Sequence, residues 1–198
     1  MLFDAVSCQF AIHYMFDTED HARMLLRNVA DRLKNGGKFI LTTSDAYVMV
    51  KMLRNAEGFT LKNEVFEATF HGNPDKSFPN VFGNQYDFQL VDAVDKCPEF
   101  LVPPKHLIDL AKEFNLHIIE HLNFHDFYDK YGNNQEVKAN VKPELKLEGM
   151  TEDQWTAIYL YRTFVFEKRG DTSLPQEQYV SPTGFRRITE SDIISLMK

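Results

Sequence analysis

Apolar positions along the chain recur with two periods, near 2 and near 3.6 residues, and the switches between them lay out strands and helices in order. Residues 2–8 form a short apolar run that reads as a buried strand ending near Cys8-Gln9. Asp17 or Thr18 can cap a helix, with Glu19 and Asp20 favourable in its first turn. Ala22, Leu25, Leu26, Val29 and Leu33 then repeat at helical spacing, which puts Arg23, Arg27 and Asp31 elsewhere on the wheel. Lys34 and Gly36-Gly37 supply a C-terminal stop. Residues 38–43 (KFILTT) are the next strand, so the order strand–helix–strand fits a right-handed parallel crossover.

Ser44 or Asp45 can cap a second helix running to about Arg54, followed by a polar loop over 55–63. Residues 64–70 alternate as a strand does, 71–82 read as a long loop, and 84–91 form another strand with Tyr86, Phe88 and Leu90 on one face. Residues 98–102 are short and extended. Pro103-Pro104 opens a helix with Leu107, Ile108, Ala111 and Phe114 inward. A strand at 116–122 and a short helix at 124–131 follow. The polar stretch 132–150 reads as a surface loop, and Thr151 caps a helical turn or short helix to Trp155. Residues 157–166 (AIYLYRTFVF) are apolar on both faces and read as a strand that is central or covered on both sides. The expected domain covers 1–168, with 169–198 a poorly anchored tail. The expected fold class is an α/β sheet whose later part is mixed, with ligands at the carboxyl ends of its strands.

Composition narrows the function. The 198 residues carry 29 Asp+Glu against 22 Lys+Arg, a net charge of −7, which disfavours a binder that grips nucleic acid by charge alone. A pocket for one nucleotide remains open. Cys8 and Cys97 are too few for a disulfide framework or a four-thiolate zinc site. No apolar run reaches the roughly 18 residues of a membrane span, and the first residues lack the positive flank of a signal peptide. The expectation is a soluble protein of a reducing compartment. His121 and His125 stand four apart on a strand-like segment, without a third convergent metal ligand. Lys51, Arg54 and Lys62 can contact RNA phosphates, but read first as solvated positions.

The segments SCQFAIHY (7–14), MLLRNVADRLKNGGKFILTT (24–43), GNQYDFQL (83–90), VDKCPEFLVP (94–103) and AIYLYRTFVFEK (157–168) together resemble the messenger-RNA cap guanine-N7 methyltransferase family, in order and over most of residues 2–168. The resemblance implies a Rossmann-like class I methyltransferase sheet with an antiparallel final strand. It implies S-adenosylmethionine as methyl donor, a 5′-capped RNA as substrate, and work in the nucleus, or in the cytoplasm for a viral enzyme. It assigns Gln9 and Tyr14 to the S-adenosylmethionine site. His13, Glu99 and Tyr159 are assigned to the cap guanine, and Phe10 and Tyr86 to the wall of the cap pocket. Each residue taken alone has a plainer reading: Glu99 as a solvated carboxylate, His13 as a surface histidine, and Tyr159, Phe10 and Tyr86 as packing.

The chemistry agrees with the resemblance. Guanine presents N1–H and N2–H donors on one edge, and an ionised Glu accepts with two oxygens. Guanine N7 has a lone pair and no proton, so alignment suffices and no general base is needed. The glycine-rich turn and ribose-binding acid of a full class I domain do not occur in these residues. The expectation is therefore a cap-recognition half lacking the N-terminal strands and inactive alone: a partial gene product, one piece of a split enzyme whose separate N-terminal half or capping-enzyme partners complete it, or a short protein that has lost activity. The other reading is a non-catalytic cap- or partner-binding module of the same family.

Overall fold

The computed structural model describes residues 2–132, 134–140 and 149–170. Strand β1 (Phe3–Gln9) leads through a 3-10 turn (Ile12–Phe16) into helix α1 (Glu19–Arg32). The Thr18 side chain accepts from the His21 amide and caps α1. Strand β2 (Leu33–Ser44) begins directly at the helix end, so the expected stop at 34–37 is already strand. A glycine at Gly36 takes φ +80 there. Asp45 then caps helix α2 (Ala46–Asn55) by accepting from the amides of Tyr47 and Val48.

Strands β3 (Thr60–Lys62), β4 (Phe66–Phe70), β5 (Gln85–Leu90) and β6 (Val94–Phe100) follow. After them come α3 (Pro104–Glu113), β7 (Leu116–Asn123), α4 (Phe124–Tyr131), α5 (Gln135–Asn140), α6 (Glu152–Tyr159) and β8 (Tyr161–Lys168). Residues 60–62, expected in a loop, pair with β4. Part of the expected surface loop 132–150 is α5, and 141–148 lie outside the described residues. Most of the expected 169–198 tail likewise lies outside them.

Two four-stranded sheets result, in the orders β1-β2-β8-β7 and β3-β4-β5-β6. The antiparallel stretch expected to extend one mixed sheet forms a sheet of its own. In the first sheet β1 runs parallel to β2, and β8 lies antiparallel to both β2 and β7, the reversed final strand that the resemblance implies. Leu26, Val29 and Ala30 of α1 and Leu107 and Ala111 of α3 cover Phe39, Leu41, Phe164 and Phe166 of this sheet. Each buried Phe contributes about 1.5–3 kcal/mol by leaving water. A second core joins Met49 and Leu53 of α2 and Ala157 of α6 to Phe66, Phe70, Tyr86 and Phe88 of the second sheet. No helix among the described residues is long and apolar enough to cross a membrane.

The last expected strand needs correction. Thr151 and Gln154 form a capping box, each side chain bonded to the other's backbone amide, and helix α6 runs on to Tyr159. The strand starts only at Tyr161, so Tyr159 is helical and Tyr161 is the first residue of β8.

Candidate functional site

Five segments meet where β1 and β2 end. Phe10 follows β1 with φ +51, uncommon for a bulky side chain, and is tied down by its amide to Thr42 O at 3.0 Å. This bend starts the 3-10 turn that buries His13. At the end of β2, Thr43 and Ser44 are buried, and the Asp45 amide donates to Leu160 O at 2.6 Å. Arg162 Nε donates to the fully buried Asp45 carboxylate at 2.8 Å, and Asn123 Nδ2 donates to it at 3.1 Å. The start of α2 is thereby fixed to β7 and β8.

Glu99 on β6 stands directly opposite Tyr86 on β5 and is only 6% exposed. Tyr86 donates its single hydroxyl proton to Glu99 Oε2 at 2.5 Å. Ser44 Oγ lies 2.9 Å from the same hydroxyl, and with the tyrosine proton already committed, it is Ser44 that donates to Tyr86. The other carboxylate oxygen, Oε1, lies 3.5 Å from His13 Nε2. That ring nitrogen is buried and has no hydrogen-bond partner among the described residues. His13 Nδ1 lies 3.4 Å from Thr43 Oγ1.

Burial sets the charge states. It pushes the Glu99 carboxyl above the usual carboxylate range, against the opposing pull of the Tyr86 hydrogen bond. It lowers His13 to about 4, so the imidazole is neutral at pH 7. Tyr86 is raised well above its ordinary value by burial and then by the Glu99 charge. The site is a buried carboxyl group beside a neutral imidazole, with one oxygen and one nitrogen facing each other.

Aromatic rings surround it. Tyr161 is raised by burial, then by the fields of Glu99 and Tyr14, which places it among these groups. Its ring meets Phe10 edge-on, with centroids 5.1 Å apart, and also meets Phe88 and Phe124. Phe10 is 47% exposed and can receive a flat ligand. The Tyr14 ring lies 4.4 Å from His13 and its hydroxyl lies 3.8 Å from Cys97 Sγ, which, after burial, helps push it up to about 12.

The structure thus brings together His13, Glu99, Tyr86, Phe10 and Tyr14. Gln9 sits at the exposed end of β1. Its Nε2 donates to Ser7 Oγ at 2.9 Å and Ile40 O at 3.3 Å, and its Oε1 accepts from Thr42 at 2.8 Å. Both amide protons are used, and one acceptor position on Oε1 remains. Tyr159 is placed elsewhere: its ring stacks on His125 at 4.7 Å, and its carbonyl accepts from Asn123. Sequence reasoning missed Tyr161 and Ser44. The Thr151-x-x-Gln154 signature carried the signal for Tyr161, because a helix continued through 159 moves the strand start to 161. His121 faces Arg162 and His125 faces the Trp155 carbonyl, so the two histidines serve different neighbours.

Comparison with known proteins gives the same direction. Residues 1–169 match the mRNA (guanine-N(7))-methyltransferase domain model. The chain is 38% identical to mRNA cap guanine-N(7) methyltransferase 1 of Oryza sativa subsp. japonica, over 96% of this chain and 54% of that protein. It is 36% identical to mRNA cap guanine-N(7) methyltransferase 1 of Arabidopsis thaliana, over 97% of this chain and 54% of the relative. The Saccharomyces cerevisiae mRNA cap guanine-N(7) methyltransferase is 32% identical, over 90% and 43%. The chain therefore spans about half the length of the curated relatives it matches. Among solved structures, an S-adenosylmethionine-dependent methyltransferase from Clostridium acetobutylicum ATCC 824 aligns with TM-score 0.46 and 16% identity, over 85% of this chain and 59% of that one. On the match across residues 1–169, the chain belongs to the mRNA (guanine-N(7))-methyltransferase domain family.

Proposed function

We propose that the chain holds the guanine of a 5′ mRNA cap at Glu99 and His13, for methylation of its N7 with S-adenosylmethionine as donor. The observation that carries this reading is the buried Glu99–His13 pair, 3.5 Å apart, with His13 Nε2 lacking a hydrogen-bond partner. A buried polar atom left unpaired costs about 1–3 kcal/mol, which a ligand recovers by bonding to it. Guanine N1–H and N2–H donate to the ionised Glu99. When Thr43 donates to His13 Nδ1, Nε2 carries the proton and donates to guanine O6. Tyr86, fed by Ser44, holds Glu99 in the accepting form. Phe10 and Tyr161 offer ring faces, worth about 1–3 kcal/mol for a stacked base. We assign to Tyr161 the cap contact that the sequence placed at Tyr159.

S-adenosylmethionine supplies a methyl group already activated on a sulfonium. Gln9 fits it as a neutral acceptor with one free position, and Tyr14 as a part-exposed ring whose hydroxyl lies against Cys97; these form one wall of a donor site. The chain's contribution to the reaction is then to keep the guanine ring fixed, which is catalysis by orientation. The outer edge of β1 is unpaired among the described residues, and Leu2 and Phe3 are exposed beside it. This supports a second half of the domain, or a capping-enzyme partner, completing the site there. Activity on nuclear transcripts, or cytoplasmic ones for a viral enzyme, follows the family.

The test is methyl transfer to GpppN-capped RNA by the chain alone and after addition of the N-terminal half of a full-length relative. We expect turnover only in the mixture and loss of cap-analogue binding in Glu99→Ala. An inactive mixture together with unchanged binding in Glu99→Ala contradicts the assignment.

A further inference from the structure

A groove of about 600 Å³ runs along α2. We infer that it receives the RNA strand that follows the cap; this rests on the guanine reading above. Its chemistry differs from the rest of an acidic chain of net charge −7. Lys51, Arg54 and His106 line it, and no acidic residue does among the described residues. Lys51 and Arg54 are exposed and form no ion pair among the described residues. Arg54 stays beyond ion-pair distance of Asp75, whose carboxylate accepts from the Ser77 amide at 3.0 Å. Two exposed cations on a groove lined by no carboxylate attract phosphates, although the field of Arg54 also reaches Asp75.

The remaining lining suits nucleotides. Tyr47 is 53% exposed and offers a stacking face. Asn84 spends its Nδ2 on Asn80 O at 2.8 Å, which aims its amide and leaves the Oδ1 acceptor for a base edge.

The groove also borders the segments that carry the guanine site. Leu101, in its floor, lies two residues beyond Glu99 on the same extended segment, and its amide donates to Asn84 O at 3.0 Å. Alternation puts Glu99 and Leu101 on one face, about 7 Å apart. Ala46, at the near end, follows Ser44 and Asp45, which hold the site. From Ala46 to Asn55 the helix extends about 13 Å, room for a few nucleotides at about 3.4 Å per stacked phosphate. Past the end of α2, Lys76 Nζ donates to the carbonyls of Leu53 at 2.8 Å and Ala56 at 2.5 Å.

The experiment compares binding of GpppA, a GpppA-capped pentanucleotide and the same pentanucleotide with a 5′-triphosphate, across salt concentrations. The variants are Lys51→Gln/Arg54→Gln and, as control, Lys62→Gln, whose lysine is engaged by Glu67. We expect the capped pentanucleotide to bind about tenfold tighter than GpppA. The double variant should abolish that advantage, lower the logarithmic salt slope by about 1.4, and leave GpppA affinity unchanged. The control should behave as wild type. No length advantage, or one that survives the double variant, overturns the inference. So does a phosphoserine peptide that binds tighter than RNA and is lost in the same variant. Equal binding of capped and triphosphate RNA, both lost in the double variant, supports the groove while refuting the guanine reading.

Discussion

Tyr86 and Glu99 face each other across β5 and β6, and the buried tyrosine hydroxyl donates to the carboxylate at 2.5 Å. Tyr86→Phe removes the donor and leaves Glu99 Oε2 buried and unsatisfied. A hydrogen bond to a charged group contributes about 1.5–3 kcal/mol. The carboxyl should then titrate still higher, and GpppG affinity at pH 7 should fall by about tenfold or more. Calorimetric titration of the variant checks this; unchanged affinity would mean that Tyr86 is packing only.

Glu99 should cost the chain stability. Its folded-state value is raised by burial, so between the ordinary and the raised value the folded chain holds a proton that the unfolded chain has released. Stability contributed by this group therefore falls as pH rises from the ordinary carboxylate range through the raised value. Glu99→Gln should be at least as stable as wild type at pH 8, and the gap should close by pH 4. Urea denaturation at the two pH values measures it.

His13 acts with the opposite sign. Its folded value is lowered from 6.5 to about 4, so the unfolded chain binds the extra proton between those limits. The stability it gives is complete above pH 6.5 and is lost as pH falls towards 4, about 3 kcal/mol in all. His13→Gln should flatten the acid side of the stability curve by that order. A variant curve parallel to wild type would place the acid loss on other groups.

Tyr159 and Tyr161 make a matched pair of tests. Tyr161→Ala removes a ring beside Phe10 and Glu99 and should weaken cap-analogue binding by about 5- to 100-fold. Tyr159→Ala unstacks His125 and should lower the melting temperature while leaving cap affinity nearly unchanged. Fluorescence titration of both variants separates them, and a cap defect confined to Tyr159→Ala would reverse the assignment.

Much of this was legible in the residues. The helical repeat from Ala22 and the KFILTT strand located α1 and the second half of β2, because periodicity and caps are local, while the start of β2 at Leu33 was read as helix end and turn. The 124–131 helix matched to the residue, with Asn123 accepting from the His125 amide as its cap. The second sheet was not legible, because pairing β3 with β4 and β5 with β6 depends on contacts between strands. The switch from 159 to 161 was legible in principle, since a capping box is a local signal, but an apolar run such as AIYLYRTFVF carries no period that marks where helix yields to strand. Burial of Glu99 could not be read from a Pro-Glu-Phe segment with charged residues before it; it follows from Tyr86 arriving opposite and Ser44 behind.

The central claim is that Glu99 reads guanine. Its most direct measurement is the ratio of GpppG to ApppA affinity in the wild-type chain and in Glu99→Gln. The account predicts a wild-type preference for GpppG of about 5- to 150-fold, equivalent to about 1–3 kcal/mol, collapsing towards unity in the variant. Equal affinities in the wild type, or a preference that persists in Glu99→Gln, would contradict it.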